Sequence, residues 1–248
     1  MLKIIKNRFE QGCKTSEYPK KPISLYRRYR GMPVINGQCS EEIVDRCAAL
    51  CPQDAINSEE KSIDLGRCVF CGQCEAEGDG EFVRFSTNFE LGSASRKALV
   101  TTGEMPDLAD HSRRHFKKLF GRSLQLRQVS AAGCNSCEAD TNVLNTPFFD
   151  LSRFGIDFVA SPRHADGIHV TGPVSRNMKQ ALLATYEAVP SPKVVIASGS
   201  CAISGGPFYG SDEIVGDLNS LIPVDLYIPG CPPHPLTTLH ALLKFFKQ

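Results

Sequence analysis

The sequence predicts an α/β protein: a doubly wound parallel sheet preceded by a small α+β unit. Three observations carry this reading. From Leu124 onward, short Val- and Ile-rich runs alternate with helical patterns, and such alternation folds as a parallel sheet with crossover helices on its faces. Seven of the eleven cysteines fall before residue 75, in a stretch of different texture. A polar connector, "TTGEMPDLADHSRRHFKKLFGRS", separates the two. The expected division is residues 1–100, a connector at 101–121, and residues 122–248; a chain of 248 residues can bury one good-sized core or two small ones.

The chain opens with a basic segment. Residues 1–30 carry nine Lys/Arg against two Glu, although the formal net charge of the whole chain is only +1. That balance argues against nucleic acid as a partner bound through bulk charge. A charge run of this kind is a solvated surface by default, or docks on an acidic subunit face or on anionic lipid. No apolar run approaches the roughly 18–20 residues that span a bilayer, and Met1–Gly12 is too short and charged for a signal peptide. "SRRHFKK" (Ser112–Lys118) resembles a twin-arginine export signal, but it lies mid-chain and no apolar stretch follows. The expectation is a cytoplasmic chain, where abundant cysteine points to metal or redox chemistry rather than disulfides.

The first cysteine-rich part contains "GRCVFCGQCEAEGDGEF", residues 66–82, with Cys68, Cys71 and Cys74 at equal two-residue gaps. A cluster-binding run of this type closes with a fourth cysteine followed by proline, yet the expected position is Gly78. Upstream, "CSEEIVDRCAALCPQDAI" supplies Cys51-Pro52. In two-cluster ferredoxins the fourth cysteine of each run ligates the other cluster, so Cys51, Cys68, Cys71 and Cys74 form one complete shell for a [4Fe–4S] cluster. The partner site keeps only Cys39 and Cys47 and lacks a ligand at Gly78, so both losses fall on the same cluster. A four-cysteine zinc site is the competing reading; the equal gaps and remote Cys-Pro fit the iron–sulfur reading better. Cys13, Cys39 and Cys47 read as plain buried or free thiols rather than as a second irregular site.

In the connector, Asp107 or Asp110 can cap a short helix striped by Phe116, Leu119 and Phe120 and ended by Gly121. Beyond it, "LQLRQV", "IDFVAS", "GIHVTG", "KVVIASG" and "VDLYIPG" read as strands. Met178, Ala181, Leu182 and Thr185 line one face of a helix that must stop at Pro190. A last helix opens at Pro235 and stripes Leu236, Leu239, Leu243 and Phe246 along one side. Cys134 and Cys137 follow the first strand, Cys201 follows "KVVIASG", and Cys231 follows "VDLYIPG". The carboxyl ends of parallel strands share one edge, where ligands of open α/β folds gather. Four cysteines separated by gaps as long as 63 and 29 residues can therefore converge, and those gaps are far too long for a zinc ribbon.

Two sets of words in the chain are familiar. "RGMPVING", "CPQDAI", "DLGRCVFCGQCE" and "FSTNFEL" resemble the ferredoxin-like subunit of formate hydrogenlyase and of NADH:quinone oxidoreductase (complex I), over about residues 25–100. "GCNSCEAD", "SPRHADGIHVTGPVSRNM", "SGSCAISGGPFYG" and "VDLYIPGCPPHP" resemble the small subunit of group 4 membrane-bound [NiFe] hydrogenases and the homologous 20 kDa subunit of complex I, over about residues 117–248. The resemblance implies a flavodoxin-like sheet and assigns a second [4Fe–4S] cluster to Cys134, Cys137, Cys201 and Cys231. It also implies a large [NiFe]-hydrogenase-like or complex I-like catalytic partner, with further electron-transfer and membrane subunits, and a peripheral place on the inner face of the cell membrane. The complex I branch has adjacent cysteines at the first position, whereas this chain has Cys-Asn-Ser-Cys, which favours the hydrogenase branch. In Cys137-Glu138-Ala139-Asp140 the acids stand exchanged relative to the hydrogenase pattern, leaving a proton-transfer role or a simple surface or capping role for each.

Nothing in the chain supplies a substrate pocket. "ISGGPFYG" lacks the spacing of a dinucleotide fingerprint, and no nucleophilic triad is evident. The expectation is an electron-transfer subunit whose catalytic centre lies in a partner. A complex I-like quinone oxidoreductase subunit and a redox-sensing or scaffold iron–sulfur protein are the alternatives.

Overall fold

The computed structural model describes residues 2–104 and 123–246. The expected connector helix and its caps lie outside the described residues.

The C-terminal part is a five-stranded parallel sheet. Its strands are β6 (Leu124–Ser130), β7 (Ile156–Phe158), β8 (Gly167–Thr171), β9 (Val194–Ser198) and β10 (Leu226–Ile228). Their spatial order is β10-β9-β8-β6-β7, every neighbouring pair parallel. Numbered within this sheet, that is the 2-1-3-4-5 order of flavodoxin-like folds, with the switch point between β6 and β8. The five runs expected as strands all form, although two end sooner than their apolar letters do. In "IDFVAS" the strand stops at Phe158, and in "VDLYIPG" at Ile228. Two short helices, α4 (Ser136–Val143) and α6 (Ser200–Ser204), begin just past the carboxyl ends of β6 and β9.

Strand side chains alternate between two faces, and the apolar core divides accordingly. Leu124, Leu126, Val194, Ile196, Leu226 and Ile228 bury one face against α7 (Pro235–Phe246). Val129, Ile168, Val170, Val195 and Ala197 bury the other, where α5 (Arg176–Ala188) inserts Leu182. Two helix expectations change here. α7 is buried on nearly all sides, Thr237 and Thr238 included, rather than along a single stripe. On α5 the packed face is Met178, Leu182, Leu183 and Tyr186, while Ala181 is exposed: the inward face is rotated from the one proposed, because Tyr186 and Leu183 supply more apolar area than Ala181 and Thr185.

The N-terminal part packs onto both faces of the sheet, Tyr18 and Phe89 joining the core around α7 and the rest the core of the second face. It comprises α1 (Leu2–Gln11), the antiparallel pair β1 (Pro33–Ile35) with β4 (Val83–Phe85), α2 (Glu41–Ala49), the three-stranded sheet β2 (Ile56–Asn57), β3 (Ser62–Asp64) and β5 (Val100–Thr101), and α3 (Gln73–Glu77). Its Val44, Ile63, Leu65, Phe82 and Leu99 belong to the same apolar core as Val195 and Ile203. The contact is close. A Cβ at Gly66 would stand 2.7 Å from Ile203 Cγ2, and one at Gly92 2.5 Å from Ala241 Cβ. Arg96 holds Asp64 through two hydrogen bonds of 2.8 and 2.6 Å, both side chains largely withdrawn from solvent.

Candidate metal centres

The eight cysteines singled out above gather into two groups of four. Cys51, Cys68, Cys71 and Cys74 line one hollow in the N-terminal part. Cys51 follows α2 and Cys74 lies in the first turn of α3, while Cys68 and Cys71 lie on the loop between β3 and α3. Phe70 and Gly72 take the left-handed conformation (φ 54° and 79°), which turns that loop tightly enough to face several thiols inward. Backbone N–H groups reach two of the sulfurs: Phe70 on this loop donates to Cys68 Sγ, and Ala55, between α2 and β2, donates to Cys51 Sγ, both at 3.3 Å.

Cys134, Cys137, Cys201 and Cys231 line a second hollow. They follow β6, β9 and β10 at the carboxyl edge of the sheet, beside the switch point, as their positions in the sequence predict. Gly133 and Gly172 pack against one another there; a Cβ on Gly172 would lie 2.5 Å from Gly133 N. Two more glycines fit against the sulfurs. A Cβ at Gly199 would meet Cys137 Sγ at 2.8 Å, and one at Gly206 would meet Cys201 Sγ at 2.9 Å.

Electrostatics divides the thiols. Burial, with the neighbouring cysteines acting in the same direction, pushes Cys68, Cys74 and Cys201 up to about 12 and Cys137 higher still. Burial also raises Cys231, whereas Cys134 is lowered by its hydrogen bonding to Ser136. Buried thiols of this kind become thiolates when a cation stands among them.

Beside the second hollow, Glu138 is buried and accepts hydrogen bonds of 2.6 Å from both Ser130 and Thr171 hydroxyls. Burial opposes its ionisation, but these two donors prevail and hold its carboxyl below the usual range. Asp140 is instead raised by burial. Glu138 is thus a structural acceptor tying α4 to β6 and β8, more than a surface cap.

The remaining cysteines are placed differently. Cys13 is exposed, while Cys39 and Cys47 are buried in the apolar core. Cys47 Sγ donates to Cys74 O at 3.3 Å, and a Cβ on Gly78 would sit 3.2 Å from Cys47 Sγ and 3.5 Å from Ile43 Cγ2. The region where a second ferredoxin-type ligand set would converge is filled by packed side chains.

The residues present suit iron–sulfur clusters. The donors are soft thiols, backbone N–H groups reach sulfur, and the thiols ring a space instead of meeting at a point. Among the described residues no three His, Cys, Asp or Glu side chains stand close enough to hold one metal ion.

One residue with a part in both sites escaped the sequence reading. Ser200, buried and next to Cys201, hydrogen-bonds the carbonyl of Cys68. Its only signal was its place in "SGSC", since the group it holds lies 132 residues away.

Comparison with known proteins places the sheet part of the chain. The family described as "NADH ubiquinone oxidoreductase, 20 Kd subunit" matches residues 134–245, from Cys134 to the last helix. The "Probable membrane-bound hydrogenase subunit mbhJ" of Pyrococcus furiosus is 42% identical over 126 residues, 51% of this chain and 75% of that protein. "Formate hydrogenlyase subunit 7" of Escherichia coli is 43% identical over 124 residues, 50% of this chain and only 49% of that protein. The B-type subunit of the NADH-quinone oxidoreductase of Carboxydothermus hydrogenoformans is 45% identical over 147 residues, 53% of this chain and 89% of that protein. With three quarters or more of two such relatives matched at over 40% identity, the chain belongs to the family of the NADH ubiquinone oxidoreductase 20 Kd subunit.

Proposed function

We propose that the chain is an electron-transfer subunit of a membrane-associated, [NiFe]-hydrogenase-like oxidoreductase complex. In this reading Cys51, Cys68, Cys71 and Cys74 hold one [4Fe–4S] cluster, and Cys134, Cys137, Cys201 and Cys231 hold another. The ferredoxin-like part is residues 1–100, the connector 101–121, and the family part 122–248. The carrying observation is that eight cysteines spread over 180 residues ring two hollows in one folded unit. Bound clusters of this type supply one-electron acceptor and donor sites. The chain's own residues deliver the thiolates, direct N–H groups at Cys51 and Cys68, and bury Cys74 and Cys201 away from water. The catalytic centre lies in a large partner subunit, and attachment to the inner face of the cell membrane runs through partner subunits.

Anaerobic purification with iron and sulfide analysis tests the reading. Two clusters give about eight of each per chain; a count near four leaves one site and rejects the two-cluster assignment. A second reading, a complex I-like subunit delivering electrons to quinone, is favoured by the long match to the NADH-quinone oxidoreductase relative. Nickel in the co-purified large partner supports the hydrogenase reading, and its absence supports the quinone one.

A further inference from the structure

The first helix buries nothing. Leu2, Ile4, Ile5 and Phe9 are 84%, 73%, 51% and 84% exposed, and no residue of α1 is buried. Such density of large apolar side chains in ten solvated residues is costly in water and points to a surface that covers them. Leu2, Ile5 and Phe9 have the i, i+3, i+7 spacing of a single face. By helical geometry, Lys6 and Arg8 flank that face on opposite sides, where their aliphatic stems can lie along it while their charges reach outward.

The chemistry of the neighbourhood is as one-sided as that of the helix. Lys3, Lys6 and Arg8 stand against one acid, Glu10, which is itself 3.7 Å from Lys6. Lys14, Lys20, Lys21, Arg27 and Arg28 follow, all exposed, against one further acid, Glu17, which stands 2.7 Å from Lys21; Tyr26 among them is 90% exposed. The chain regains its hold on the body at Ser16, whose N–H donates to Phe148 O at 2.8 Å; Arg153 then donates to Ser16 O and Tyr18 O. α1 therefore extends from a fixed point.

We propose that α1 lies flat on an anionic lipid surface, its Leu2–Ile5–Phe9 face among the acyl chains and its cations among the headgroups. A flat anionic plane meets both flanking cations and the basic segment beyond at once, whereas an apolar protein groove would take the stripe and leave that charge without a partner. Ten residues form a weak anchor, which acts as one of two attachment signals beside partner subunits. The inference does not depend on cluster number or on the electron-transfer reading.

The test is flotation of the purified full chain with vesicles of phosphatidylglycerol and phosphatidylcholine in equal parts, against pure phosphatidylcholine. The expected result is partition onto the anionic vesicles alone, weakened by added salt. Phe9→Asp should lower it by about tenfold, and the pair Lys6→Glu, Arg8→Glu should lower it comparably. Iron content and melting temperature should stay unchanged, because α1 contributes nothing to the core. Equal binding to neutral vesicles, or undiminished binding by Phe9→Asp, overturns the proposal. So does an absence of vesicle binding with loss of a co-purifying partner subunit on Phe9→Asp, which would make α1 a protein-docking helix.

Discussion

The hydroxyl of Ser200 donates to the carbonyl of Cys68 at 2.7 Å, joining the loop of one cysteine group to the residue beside Cys201 of the other. The same oxygen lies 3.2 Å from Gly230 O, just before Cys231, and Ser204 repeats the link one turn later by donating to Gly66 O at 3.0 Å. The spacing of the two proposed clusters is thereby set by hydrogen bonds inside one chain rather than by a subunit interface.

Ser200→Ala removes a donor from a partly buried carbonyl and should cost about 1–2 kcal/mol. For a chain of this size that is a fall of about 2–8 °C in apparent melting temperature, compared at one scan rate. Iron content should be retained, since no ligand is touched. An unchanged melting temperature would show that the hydroxyl does not hold the two loops together.

Gly199 should be the sharper lesion. Its φ of 89° is a conformation that a side chain adopts only under strain, and its missing Cβ leaves the room that Cys137 Sγ occupies. Gly199→Ala should displace Cys137 and empty the second site while sparing the first. Iron per chain should fall from about eight to about four, with the cluster signal of the N-terminal part intact. Cys74→Ala is the mirror experiment: the same iron loss with the other signal surviving.

Much of this was legible in the letters. The strands were visible because the central ones are buried on both faces and so read as near-unbroken apolar runs; β8 and β9 are buried at every position. Cys134, Cys137, Cys201 and Cys231 could be brought to one edge from strand polarity alone. The rotation of α5 could not be read, because Ala181 and Leu183 are both acceptable to a helix and only the shape of the opposing core chooses between them. Glu138 was ambiguous for a related reason. Its partners, Ser130 and Thr171, come from two strands, and a hydrogen bond across strands leaves no spacing in the sequence.

Gly78 tests whether the decayed ferredoxin site can be restored. The position is the end cap of α3 with φ −84°, so any residue fits its backbone. Gly78→Cys nevertheless should not raise iron per chain. Its Cβ would already press on Cys47 Sγ at 3.2 Å and on Cys74 O at 3.2 Å. The extra volume should destabilise the fold by about 1–3 kcal/mol. A gain of about four iron atoms per chain would show that the filled region still opens to a cluster.

His169 should make the chain acid-sensitive. It is fully buried on β8, its ring edge-on to Phe158 at 5.7 Å, and among the described residues neither ring nitrogen has a hydrogen-bond partner. Burial pulls its pKa down to about 4, although the Glu138 carboxylate pulls the other way. The unfolded chain takes up a proton on this residue as pH falls below about 6.5, while the folded chain refuses it until about 4. Protons therefore favour the unfolded state throughout that window, and stability drops from pH 6.5 toward 4 and levels off below. His234 and His240 are also lowered by burial and act in the same direction, so the decisive quantity is a difference between variants. His169→Leu should flatten the fall in melting temperature between pH 6.5 and 4 relative to the unaltered chain and leave the value at pH 8 equal or higher, because two unpaired nitrogens leave the core. Parallel pH profiles for the two proteins would show that the fold does not hold the imidazole's pKa below its unfolded value.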